Sequence, residues 1–148
     1  LSSLYSKFKT SDKLEAEGIN LDLGFCVITV ARAGGNNQPY NAAMERLYKQ
    51  HKRAIANDLL DNAKSRDLVY AVYAEHVVRD WKTRVGGTDD APKYETGIEG
   101  PDGKIMPFNR DNVIATFKAL PDLFAEIREA AESLQYFRQS LLDGAVKN

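Results

Sequence analysis

The sequence predicts an α+β fold, mainly α, in which an N-terminal β-hairpin packs on a bundle of about five helices. Three observations predict it. Ile19, Leu21 and Leu23 alternate with Asn20, Asp22 and Gly24, and the β-branched run "FCVITVA" follows directly. From Tyr40 onward apolar residues recur at helical spacing. Near the C-terminus, "NVIATFKALPDLFAEI" combines helix-forming residues with a proline at its centre. Alternation with period 2 marks a half-buried strand, and i, i+3, i+4 recurrence marks a helix with one apolar face.

The chain reads as a single domain over residues 1–148. Residues 1–18 form an N-terminal segment, in which "LSSLYSKFKT" lacks the apolar core of a signal peptide. Residues 19–33 form the hairpin, with Gly24 at its turn. A two-stranded hairpin is marginal by itself, so it must pack on something else. "AGGNNQ" ends the second strand, because Gly and Asn tolerate the backbone angles of a tight turn.

Residues 39–82 are predicted to hold two long helices. In the first, Asn37 is the candidate cap and Pro39 fits the first turn. Tyr40, Ala43, Met44, Leu47, Tyr48, Ala54 and Ile55 make its apolar face, and Arg46, Lys49, Gln50 and Arg53 its polar face. The second, "LVYAVYAEHVVRDW", starts near Ser65 or Asp67. Leu68, Val69, Val72, Tyr73, His76 and Trp81 share one broad side, but Tyr70, Ala74, Val77 and Val78 make the opposite side apolar too. A helix apolar most of the way round is covered on both sides, by its own domain or by another chain.

Residues 83–108 carry half of the chain's glycines and read as a long loop, with a small hairpin at "PDG". Residues 109–146 are predicted to hold the C-terminal helices. Asn109 or Asp111 caps the first. Proline within a helix costs about 3 kcal/mol and disfavours the α conformation in the residue before it. Two helices meeting at Leu120-Pro121 therefore fit better than one kinked helix. The last apolar positions, Leu134, Phe137, Leu141 and Leu142, lead to a C-cap near Gly144.

Composition narrows the function. With 20 basic and 21 acidic residues, the chain lacks the basic excess of a general nucleic-acid binder. One cysteine, Cys26, allows no intrachain disulfide. No apolar run reaches the ~20 residues that span a membrane. His51 and His76 have no cysteine or carboxylate at ligand spacing, so no metal is expected. "AGG" lacks the GxGxxG and GxxxxGK[ST] phosphate patterns, and no G-x-S-x-G elbow is present. Asp89 and Asp90 read as solvated loop charges. Neither a catalytic constellation nor a cofactor is expected, and the chain reads as a non-enzyme. The candidate interaction residues are the aromatic and apolar set Tyr70, Tyr73, Val77 and Trp81, and the basic set Arg46, Lys49 and Arg53 of "RLYKQHKR". Aromatics are enriched at interfaces, and a basic helix face suits an acidic protein partner.

Several stretches, in their order along the chain, carry a family likeness. They are "SKFKTSDKLEAEGI", "ITVARAGGNNQPY", Trp81 followed by a loop ending "DGKIMPF", "NVIATFKALPDL" and "YFRQ". In this order the chain resembles the tail assembly chaperones of long-tailed (siphovirus-type) bacteriophages and prophages. The loop "GGTDDAPKYETGIEGPDGK" is longer than the compact turn expected there. The resemblance implies a non-enzymatic factor that binds the tape-measure protein, helps recruit tail-tube subunits and self-associates. It implies action in the host bacterial cytoplasm and absence from the mature virion, with no role for nucleic acid or membrane. The alternatives are a structural tail or head-completion protein of the virion and, from another class, a small regulator or enzyme.

Overall fold

A computed structural model describes residues 3–57 and 62–142. In chain order the elements are α1 (Leu4–Phe8), α2 (Asp12–Glu17), β1 (Ile19–Asp22), β2 (Cys26–Val30), α3 (Gln38–Ala56), α4 (Asn62–His76), β3 (Val78–Gly87) and β4 (Pro92–Thr96). The short strands β5 (Ile98–Glu99) and β6 (Ile105–Met106) follow, then α5 (Arg110–Ala119), α6 (Pro121–Glu132) and a 3-10 turn at Leu134–Phe137. The fold is α+β, and the expected N-terminal β-hairpin follows two short helices. That hairpin belongs to a larger antiparallel sheet of order β1-β2-β3-β4.

The registers show why β2 needs a second neighbour. Ile28 lies opposite Leu21 on one side and Trp81 on the other, and Val30 lies opposite Ile19 and Val78. These residues make the face that packs on the helices. Thr29 pairs with Asp80 while Val30 pairs with Val78, so Arg79 is the extra residue of a β-bulge. Two expectations are corrected here. The second long helix stops at His76 rather than running to residue 82, because the chain turns at Val77 and enters β3 at Val78 to complete the sheet. Residues 83–108 are not an open loop: they contain the end of β3, the β3–β4 hairpin, and β5 paired with β6. The "PDG" turn forms as expected, with Gly100 N–H donating to the Lys104 carbonyl at 2.8 Å and Lys104 N–H donating to Asp102 Oδ1 at 3.1 Å. Trp81 closes the strand against this hairpin by donating its indole N–H to the Met106 carbonyl at 3.2 Å.

The Leu120-Pro121 corner forms as the residue chemistry requires. Asn109 caps α5 by accepting from Asn112 N–H at 2.8 Å. Leu120 leaves the helical region with φ −128° and ψ 72°, and Pro121 opens α6. The corner folds Phe124 and Ile127 back onto the core. There Tyr70, Phe117 and Phe124 form an aromatic triangle with centroids 4.6–5.4 Å apart, and Tyr73 meets Phe124 at 5.0 Å. Edge-on pairs of this kind add about 0.5–1.5 kcal/mol each beyond their area burial. The C-cap expected near Gly144 lies outside the described residues.

The chain's ends and middle converge on the loop between β2 and α3. Glu15 of α2 is 2% exposed, and its carboxylate accepts from Arg32 Nη1 at 2.5 Å and from Thr10 Oγ1 at 2.9 Å. Ala31 N–H donates to the Val77 carbonyl, Arg32 N–H to the Glu15 carbonyl and Ala33 N–H to the Ala131 carbonyl, all within 3.0 Å. Asn37 does not cap α3 through its side chain. Its Nδ2 donates to the Arg32 and His76 carbonyls at 2.8 Å, tying the loop to the C-terminal end of α4. Ser11 N–H donates to the Phe137 carbonyl and Gln139 N–H to the Lys9 carbonyl, so the N-terminal segment is pinned by the last turn.

Two outcomes follow from this packing. Gly35 has φ +53°, and a Cβ there would sit 1.9 Å from Glu15 Oε2. Gly35→Ala should lower stability by about 1–3 kcal/mol in urea titration. Burial raises the pKa of Cys26, Tyr40 and Tyr73 above their ordinary values of 9.0 and 10.0. Above those values the unfolded chain releases protons that the folded chain keeps, so the unfolded state gains. The midpoint of thermal unfolding should therefore fall as pH rises past about 9, with the tyrosinate absorbance of Tyr40 and Tyr73 appearing together with unfolding.

Candidate functional site

Four of the seven candidate interaction residues are core residues. Tyr70 and Tyr73 are each 1% exposed, Val77 is fully buried and Trp81 is 2% exposed. None of these four presents a surface to a partner, which corrects the expectation that they do. The reason is the sheet. Of the two covers the apolar pattern left open, its own domain or another chain, the helix finds the first, with α5 and α6 on one side and β3 taking over Val78 and Trp81. Arg46, Lys49 and Arg53 are all exposed on α3, as the spacing predicts.

The open apolar surface lies elsewhere. α4 and α5 pack side by side, with Tyr70, Tyr73, Val113 and Phe117 turned into the core. On the outward side the two helices leave a groove of about 670 Å³. Leu68, Ala71, Ile114 and Ala115 form its apolar floor, and His51 of α3 closes one wall. Lys64, Asp67, Arg110, Asp111 and Lys118 form the rim. Alanines at 71 and 115 keep the floor low where bulkier residues would fill it.

Rim charges bridge the two helices. Arg110 Nε meets Glu75 Oε1 at 2.5 Å and its Nη1 meets Asp111 at 3.2 Å, while Lys118 Nζ lies 3.9 Å from Asp67. Glu75 also faces His76 Nε2 at 3.6 Å. These groups are about half exposed, so each pair contributes about 0–1 kcal/mol and mainly sets the helices' spacing. An apolar floor with a mixed-charge rim suits a helix or an extended apolar segment laid along the groove. Among the described residues no group of three or more His, Cys, Asp or Glu side chains is placed to hold a metal ion. Cys26 is buried in β2, and burial, with Asp22 adding to it, raises its pKa, the reverse of an activated thiol.

The groove was barely legible. The two-sided apolar pattern of "LVYAVYAEH" includes Leu68 of the floor but not Ala71, and it marks α4 as covered rather than open. Which side stays open depends on where α5 lands, and that is set by the fold. Tyr70→Ala should cost about 3–5 kcal/mol in chemical denaturation, as for other large aromatic truncations in a core. Arg46→Ala and Arg53→Ala should change stability by no more than about 0.5 kcal/mol.

Comparison with known proteins gives one match. Residues 35–148 match the YdaY prophage protein family, a stretch that includes α3 through α6 and every residue of the groove. No curated protein and no solved structure matches the chain. With most of its length inside that match, the chain belongs to the YdaY prophage protein family.

Proposed function

We propose that this prophage protein is a tail assembly chaperone, which binds the tape-measure protein, keeps it soluble before assembly and helps recruit tail-tube subunits without catalysing a reaction. The observation that carries the reading is the α4–α5 groove on a protein of prophage origin. A tape-measure protein is long and rich in apolar helix, and it aggregates when left uncovered. An amphipathic helix about 10 Å across lays its i, i+3, i+4, i+7 anchors into a groove of this kind. Many copies along one long chain supply avidity, so each contact stays weak enough to be displaced by tube subunits. The order of sequence stretches shared with tail assembly chaperones supports the same reading. On this reading the protein works in the host cytoplasm and leaves before the virion is complete.

Co-expression with the tape-measure protein of the same prophage is the test. The wild-type chain should move that protein into the soluble fraction and co-purify with it. Ala115→Arg, at an exposed position of the groove floor, should weaken the association roughly tenfold or more while stability changes by less than about 0.5 kcal/mol. An insoluble tape-measure protein and no co-purification would overturn the reading. So would high-copy recovery of the chain from purified virions, which favours a structural component instead.

A further inference from the structure

Among the described residues, the basic face of α3 makes no ion pair outside its own helix. Arg46, Lys49 and Arg53 are exposed and stand at i, i+3 and i+7. Lys49 pairs only with Glu45 of the same helix, at 3.1 Å with both groups well exposed. On α6, Asp122, Glu126 and Glu129 are also exposed, at i, i+4 and i+7. Among the described residues no ion pair or hydrogen bond engages the side chains of Arg46, Arg53, Asp122, Glu126 or Glu129.

The two spacings are the same sequence read in opposite directions. From Arg46 the steps are three then four, and from Glu129 backward they are three then four. We propose that α3 of one copy docks antiparallel on α6 of a second copy, pairing Arg46 with Glu129, Lys49 with Glu126 and Arg53 with Asp122. Each row spans seven residues, about 10 Å of helix, so all three pairs meet in one register. Exposed Ala42 and Ala125 lie beside these charges and let the helices approach closely. Antiparallel alignment also places the helix dipoles head to tail. Opposite charges segregated on two helices of a chain with net charge −1 make a second copy the fitting occupant. Each chain carries both halves of the contact. Two copies either exchange it twice, as a closed dimer, or pass it on to a third. The docking does not depend on the tape-measure reading and stands or falls separately from it.

Analytical ultracentrifugation of the full chain alone tests it. The wild type should associate at about 0.01 M salt and dissociate towards about 1 M, where the screening length falls from about 30 Å to about 3 Å. R46E/K49E and E126K/E129K should each weaken association roughly tenfold or more at low salt. R46E/K49E/E126K/E129K inverts both faces and should associate like the wild type. Circular dichroism and the emission of Trp81 confirm that each variant is folded. A wild-type chain that stays monomeric at low salt overturns the proposal. Double variants that associate unchanged, or a folded quadruple variant that stays monomeric, also overturn it.

Discussion

The buried pair Glu15–Arg32 holds the place on which the rest of the fold depends. A carboxylate taken out of water is tolerated only when its oxygens are paired and hydrogen-bonded. Here Arg32 and Thr10 supply those bonds, and the Arg32 guanidinium carbon lies over the Phe137 ring, 6.0 Å from its centroid. This fixes the 31–37 loop against α2. The same loop takes backbone carbonyls from Val77 and Ala131 and, through Asn37, from His76. It therefore sets where α4 ends, where β3 begins and how α6 lies against the sheet. An apolar replacement of a buried ion pair often matches its energy, but it would not specify this convergence of four elements.

That convergence explains what the residues alone disclosed. The strand pair at 19–30, the Pro39 start of α3, the Asn109 cap, the Leu120-Pro121 corner and the "PDG" turn are each set by local chemistry, and each is where the residues place it. The end of α4 is not a local property. "EHVVRDW" has helix-compatible spacing, and only the unmet edge of β2 draws Val78 and Trp81 into a strand. β3 and β4 were hidden for a related reason. Thr83, Arg84, Lys93 and Glu95 lie towards the solvent end of the sheet, so the alternation that betrays a half-buried strand is weak there. Glu15 reads as one more charge on a short helix, since nothing near it in sequence announces Arg32.

The site was legible to a similar depth. The charged positions Arg46, Lys49 and Arg53 follow from spacing and are exposed. The aromatic positions follow from the same spacing, and of the two covers that an all-round apolar helix leaves open, its own domain or another chain, the sheet and the C-terminal helices supply the first. Tyr70 and Tyr73 serve the triangle with Phe117 and Phe124 rather than a partner. What stays open is the shallow side of α4, where Leu68 and Ala71 face Ile114 and Ala115. Small residues in a helix face are weak sequence signals, because they read equally as close packing.

Burial of that aromatic side changes how the molecule can associate. An interface built on Tyr70, Tyr73 and Trp81 would have been large, apolar and permanent, like a domain core cut in two. The surface of the described residues carries a shallow apolar groove, two charged helix faces and the exposed Leu4, Tyr5 and Phe8 of α1. Contacts of that kind are individually weak, since exposed ion pairs contribute about 0–1 kcal/mol and are screened by salt. Weak contacts repeated over many copies give reversible binding, with avidity set by geometry rather than by any one interface. The groove on α4–α5 and the charges on α3 and α6 are different surfaces, so occupying one leaves the other accessible. On the proposed reading, a chain built this way holds a long apolar partner and its neighbouring copies together, and releases both when stronger contacts arrive.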